Sequence, residues 1–499
     1  MAQTEQSPAT TGAAPGQGSE PQPAEGAPAS PVQAVPNPEA ARIEVTLQLM
    51  RDSGLISEKQ YQAALQGRYV VEPKAVQRPS VTGDFDLSLY GFAEFDSIYD
   101  TTQSFNELAG NAAIARPGTF AAENGRTLFT VRNSRLGILF KTPEFHRISL
   151  VAELEFDLLG NQPTTATELQ TFVNDTVRIR HAFVEVQSPW INILFGQYWQ
   201  LFGWQSYFFP ATVAIQGVPG QLYSRAPQIR LSHAFKGDAV TLELAAALGR
   251  APQRDSTLPD GQFGIRLNIN KWRGVHSTGS TSTAVDAAAI GVSGTVREFR
   301  LADPNAPMQP TTQTVSALGW GISVDAVLPL IPTRERRAWA LTANGSFVRG
   351  TGIADFYTGL TGGVAFPNTP PLPAGYPAPD IDNGLALFQN NLALGTVDWQ
   401  SFLVGLQFYL PPHGKVWLSG NFSQMNSDNT ANFLAINPMA PTKFTNNVFT
   451  ESRWADANLF WDAIPRLRLG VEYSWFWQLY SDSVTATNHR FQFSAFYIF

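Results

Sequence analysis

The 499-residue chain carries 34 basic and 41 acidic side chains, and the resulting net charge of −7 argues against a nucleic-acid binder. It has no cysteine, which excludes disulfides and thiolate metal sites. Hydrophobic residues make up 43% of the chain, yet no apolar run reaches the roughly 18 residues that a transmembrane helix needs. A hydropathy scan would class such a chain as soluble, but it misses β-barrels, whose strands bury only every second side chain.

The length exceeds an ordinary domain and suits a large barrel folded as one unit. Arg greatly outnumbers Lys. Its planar fork of donors suits carboxylates and phosphates, although genomic base composition would produce the same bias.

Met1 is followed at once by Ala2-Gln3-Thr4-Glu5-Gln6, without a basic and then an apolar leader segment. This start reads as a mature exported terminus with an added Met, and a leaderless cytosolic chain would look the same. Residues 1–37 have the Ala, Pro, Gly, Gln and Ser composition of a disordered linker. From Pro38 to Gly67 two short helices are expected. Ile43, Leu47 and Met50 form one face, Ser53-Gly54 the break, and Tyr61, Ala64 and Leu65 the second face. They predict a helical hairpin or a broken coiled-coil stem. Residues 68–84 link this stem to the region beginning at Phe85, with Pro73 and Pro79 preventing a continued helix.

From Phe85 the period is two. Strands are expected over 86–97, 127–141, 146–158, 175–188, 190–200, 226–236, 238–249 and 260–270. Further strands are expected over 284–297, 315–329, 336–350, 394–410, 414–425, 449–462, 465–480 and 487–499. That is about sixteen, and turns such as Thr142-Pro143-Glu144 and Ser188-Pro189 alternate with long loops. The predicted fold class is an all-β transmembrane barrel over 85–499, with short periplasmic turns and long outer loops. Two connections fit poorly: 271–283 is long for a turn and 250–259 short for an outer loop, so one strand there is open to misplacement. A soluble sandwich or propeller is the competing architecture, and no blade-length repeat supports the propeller.

Parity separates the strand faces. Leu150, Ala152, Leu154 and Phe156 oppose Glu153, Glu155 and Asp157. Val177, Ile179 and Phe183 oppose Arg178 and Arg180. Ile229 and Leu231 oppose Arg230, and Phe263, Ile265 and Leu267 oppose Arg266. Leu467, Leu469, Val471 and Tyr473 oppose Arg466, Arg468, Glu472 and Ser474. An Arg facing lipid at mid-membrane costs roughly 2–4 kcal/mol, so the charged rows are assigned to the lumen. In 127–141 the parity breaks, and a bulge near Asn133-Ser134 would put both Arg132 and Arg135 inside. The lumen then carries a basic set beside Glu153, Glu155, Asp157, Glu94 and Asp96. One reading is a transverse field that selects anionic or dipolar solutes. The other is cross-strand pairing that merely holds the wall.

Loop 201–225 is too aromatic for a solvated loop, with Phe202, Trp204, Tyr207, Phe208, Phe209 and Tyr223. It should fold into the lumen or against a partner surface. The last strand, TNHRFQFSAFYIF, alternates Phe491, Phe493, Ala495, Tyr497 and Phe499 with polar residues. The six histidines are scattered without metal-ligand spacing, and no GxSxG or P-loop occurs. No enzyme activity, metal or cofactor is expected.

The phrases RNSRLGILFK (132–141), VAELEFDLLG (151–160), VRIRHAFVEV (177–186) and LFGQYWQLFG (194–203) resemble, in order and spacing, the early strands of dicarboxylate-type, DcaP-like porins. These are related to phosphate-selective and other trimeric sixteen-stranded porins. LQLMRDSGLISEKQYQAAL resembles a module that precedes several porin barrels. The resemblance implies a homotrimer in the bacterial outer membrane, in contact with lipid and lipopolysaccharide, and a periplasmic N-terminal extension. It also implies uptake of small anionic solutes, with Arg132, Arg135, Arg178 and Arg180 carried over. Ending on Phe499, with Tyr497, resembles the signal read by the barrel-assembly machinery. A non-conducting barrel acting as anchor or adhesin through loops 351–393 and 426–448 is the alternative.

Overall fold

Alternation of apolar and polar side chains from Asp86 onward produces antiparallel strands, each hydrogen-bonded to its sequence neighbour. The computed structural model describes residues 80–81, 85–160, 176–252, 256–333, 337–360, 371–377, 379–382, 384–389, 391–430 and 448–499. The chain divides into two compact units, Met1–Lys74 and Ala75–Phe499. The first lies outside the described residues, and with it the linker over 1–37 and the helical stem over 38–67. Of the linker over 68–84, only Ser80 and Val81 are described.

The strands are β1 (Asp86–Asp100), β2 (Arg126–Thr130 continued by Arg135–Lys141), β3 (Ser149–Asp157), β4 (Arg178–Gln187) and β5 (Asn192–Trp199). Next come β6 (Arg225–Lys236), β7 (Val240–Gly249), β8 (Asp260–His276), β9 (Ala284–Ala302), β10 (Thr314–Ile331) and β11 (Leu341–Thr351). The last five are β12 (Asp398–Tyr409), β13 (Val416–Asn426), β14 (Phe449–Ile464), β15 (Leu467–Tyr480) and β16 (Thr485–Ile498). The sheet has eighteen hydrogen-bonded segments. Two of them are the halves of β2, and Ser80–Val81 is a short pairing onto Leu87 and Ser88, so sixteen strands form the wall. The barrel closes where β1 pairs β16, from Phe92 opposite Ile498 to Asp100 opposite Arg490. Gly91 and Phe499 exchange both backbone hydrogen bonds, each at 3.0 Å.

All sixteen expected strands are present and none is misplaced. The awkward 271–283 segment resolves because β8 runs on to His276, past a register shift between Ile269 and Arg273. This leaves a turn of 277–283.

The outer wall is an apolar belt. In β16, Phe491 and Tyr497 are each half exposed, whereas Arg490 and Ser494 are fully buried. On β15, Val471 and Tyr473 face out while Arg468, Glu472 and Ser474 face in. Arg466 departs from expectation: it sits in the turn before β15, with φ 73°, and is exposed. A belt of Phe, Leu, Val and Ile around a closed sheet is stable only in hydrocarbon, so the barrel crosses a membrane. No helix among the described residues is long and apolar enough to cross one.

Val471→Arg puts a guanidinium on that belt. We expect it to lower folding stability in lipid vesicles by roughly 2–4 kcal/mol, read as a fall in the urea midpoint. An unchanged midpoint would contradict the assignment of this face.

Candidate functional site

The inner face of β2–β7 is built around two register faults. The first is the expected bulge in β2. Asp96 opposes Thr130 and Phe92 opposes Arg135, so β2 takes one more residue than β1 to cover the same stretch. Gly91 permits the close approach: a Cβ there would stand 2.1 Å from the carbonyl oxygen of Arg135. Arg132 is inside, as expected. Its Nη1 donates to Glu107 of the first long loop at 2.7 Å, and its Nε to the carbonyl of Leu158 at 3.1 Å. It therefore anchors loops. Arg135 is inside as well, with its guanidinium 5.0 Å from the centre of the Phe92 ring.

The second fault is in β4. Asp157 opposes Arg178 and Phe156 opposes Ile179, but Glu155 opposes His181. Arg180 is the extra residue, so both Arg180 and His181 turn inward and parity reverses beyond them. Phe183, expected beside Val177 and Ile179 on the lipid face, instead packs inside against Tyr198, with ring centres 4.8 Å apart. Val184 takes the outward place, 43% exposed.

Arg180 joins both acids of β3. Its Nε donates to Glu155 at 2.6 Å and its Nη1 to Asp157 at 3.0 Å. Arg178 grips Asp157 with two bonds, at 3.0 and 2.7 Å. Arg135 Nε lies 3.7 Å from Glu155, and Tyr90 donates to the same carboxylate at 3.0 Å. Glu153 pairs with His181 at 2.7 Å. The acids are therefore interleaved with the arginines rather than opposed to them across the lumen. Asp157 is fully buried beneath Arg178, whose side chain stays 29% exposed.

Beyond this network the basic wall changes character. Arg230 donates from Nε to Gln228 at 3.1 Å and from Nη2 to the carbonyl of Trp199, and lies 5.4 Å from the centre of the Tyr198 ring. Arg225 stands over Trp199 at 4.7 Å and Tyr223 at 5.4 Å. Among the described residues neither has a carboxylate within salt-bridge reach. Arg266 differs: it is paired to Glu243 at 2.5 Å and covered by Tyr207 at 3.8 Å. Tyr207 in turn donates to Asn268 at 3.2 Å.

The aromatic loop, 200–224, folds into the barrel. Leu201, Phe202 and Ala211 are completely buried. Gly203 N donates to Ser293 of β9. Val213 N and Ala214 N donate to Glu472 of β15, at 2.8 and 2.7 Å. Asn421 and Ser419 of β13 both donate to the carbonyl of Ala211. The loop thus leaves β5 and is fastened on the far wall. Phe105 and Ile114 of the first loop, and Ile353, Phe356 and Leu387 of the β11–β12 connection, join it in one apolar cluster with Trp399, Trp454 and Phe476. That cluster packs the β9–β15 side.

No family model and no curated relative matches the sequence. The outer membrane channel DcaP of Acinetobacter baumannii does match in structure, with a TM-score of 0.57 at 17% identity over 84% of this chain and 99% of that one. This chain shares the fold of that channel. An anion-selective porin from Comamonas acidovorans gives a TM-score of 0.44 at 9% identity, over 83% of this chain and 100% of that one. OmpT of Vibrio cholerae in its trimer form gives 0.45 at 10%, over 84% and 100%.

Within this barrel, Glu153, Glu155 and His181 bring three ligand-type atoms within 4.8 Å of one another. The Arg180 guanidinium and the Glu153–His181 bond already occupy them, so a metal ion would compete with a resident cation. Arg225 is the basic residue that sequence reasoning missed. Parity places it on the outer face, and its contacts with the indole of Trp199 and with the Tyr223 side chain hold it inside.

Arg180→Ala leaves two buried carboxylates short of their cation, and we expect a loss of about 3–5 kcal/mol. Arg225→Ala removes ring contacts and a hydrogen bond with Tyr223 but no ion pair among the described residues, about 0.5–2 kcal/mol. Urea midpoints of the two variants in vesicles, compared with the parent, check this order.

Proposed function

We propose that the protein is a passive diffusion channel of the bacterial outer membrane for small hydrophilic solutes, favouring anions such as carboxylates. One observation carries the reading. Along β3 the carboxylates of Glu155 and Asp157 lie buried under Arg178 and Arg180, while Arg178, Arg225 and Arg230 keep water-reachable surface. A solute passing these two acids therefore meets the guanidiniums before the carboxylates. Arg225 and Arg230 rest on aromatic rings, which hold a guanidinium in place without cancelling its charge. Several weak sites in series lower the cost of entry and still release the solute.

In this reading the short turns and the N-terminal unit face the periplasm, and the long loops face outward towards lipopolysaccharide. The chain assembles as a homotrimer, and Tyr497 and Phe499 serve its insertion by the barrel-assembly machinery. The interior packing of three loops also suits a non-conducting anchor or adhesin, and conductance separates the two readings.

In planar bilayers under a potassium chloride gradient we expect a reversal potential on the anion-selective side. At about 4 Å in a water-like dielectric one unit charge is worth about 1 kcal/mol. Arg225→Ala and Arg230→Ala should therefore each lower the anion-to-cation permeability ratio by roughly fivefold. Cation selectivity in the parent, or a ratio unmoved in both variants, would reject the anion claim. Silence in the bilayer would favour the anchor.

A further inference from the structure

The turn 277–283, reading Ser-Thr-Gly-Ser-Thr-Ser-Thr, joins β8 to β9 at the short-turn end. Seven residues are more than this connection needs, since two can close a hairpin. The surplus is directed inward. Ser277 and Gly279 are buried. Ser277 exchanges two hydrogen bonds with Gln407 of β12: its N–H donates at 3.0 Å and its carbonyl accepts at 2.9 Å.

The far end of the turn is held by Arg468 of β15, seven strands further round a sixteen-strand wall and so nearly opposite β8. Arg468 Nη1 donates to the carbonyls of Gly279 and of Thr281, the latter at 2.8 Å, and to Ser277 Oγ at 3.3 Å. Its Nη2 donates to Thr283 at 3.0 Å, and its Nε to Asp462 at 2.6 Å. Trp417 lies beneath the guanidinium, 5.2 Å to the ring centre. A buried arginine that spends four donor contacts on one turn is a latch for that turn.

The turn also touches the aromatic loop, which arrives from the opposite end of the barrel. Gln216 donates to the carbonyl of Thr278 at 2.6 Å. At Gly279, φ is 93° and a Cβ would come 2.0 Å from the carbonyl oxygen of Thr212, so only glycine allows the two segments to meet.

We infer that the 277–283 turn is a constriction element. It is a strap latched by Arg468 that meets residues 212–216 inside the barrel and closes the β9–β15 side of the lumen from the short-turn end. Solute is thereby confined to the β2–β7 side. This rests on the channel reading above.

Two variants of the full chain test it by single-channel recording in potassium chloride. In one, residues 277–283 are replaced by Asn-Gly, which joins His276 to Ala284 by a tight turn. In the other, Gly279→Ala drives strap and loop apart while leaving every barrel strand intact. Conductance follows open cross-section, so we expect about a twofold rise for the replacement. For G279A we expect flicker between the parental and the raised level. If the parent conducts and both variants match it in conductance and noise, the strap inference is overturned and the channel reading stands. If the parent is silent and the replacement conducts, the strap is upheld as a plug and the free-diffusion reading falls. Silence in all three overturns both.

Discussion

Hydrocarbon offers no water to an unpaired backbone amide, so a sheet that enters it must have no edge. In this chain that requirement is met where β1 meets β16, a pairing that includes the reciprocal bonds of Gly91 and Phe499. Once the sheet is closed, each strand has one face for lipid and one for an enclosed interior, and the pleat sorts side chains between them. Phe491 and Phe493 lie outside while Arg490 and Gln492, their chain neighbours, lie inside. The charge pattern of the lumen results from that sorting.

Inside, charge is handled in two ways. Arg178 and Arg180 hold Asp157 and Glu155 in a hydrogen-bonded network that is largely buried. Burial of this kind costs several kcal/mol per ion and is tolerated only while every partner is present. Arg225 and Arg230 are held by indole and phenol rings instead. The first arrangement stiffens the wall, and the second leaves positive charge for a passing solute. Apolar loop packing occupies the opposite side, where Phe202, Phe356 and Trp454 share one cluster. The interior is therefore lopsided, with interleaved arginines and acids along β2–β7 and the apolar loop cluster along β9–β15.

Much of this was legible in the sequence because a pleat repeats every two residues and needs only local information. All sixteen strands could be read, as could the parity break at Asn133-Ser134 that brings Arg132 and Arg135 inside. The bulge at Arg180 left no such trace, since Val177-Arg178-Ile179-Arg180 alternates through it without interruption. Phe183 was misassigned for that reason. Arg225 was invisible because its strand position contradicts its place in space.

The residue order alone thus determined a membrane barrel, its strand number and which rows face lipid, since backbone pairing and hydrophobic alternation are properties of short segments. Tertiary structure alone decided which arginines are neutralised and which stay open, and where the aromatic loop and the polar turn come to rest. Those outcomes depend on contacts such as Val213 with Glu472, 259 positions apart in the chain. Such contacts exist only after the wall has closed around its own loops, and no local period records them.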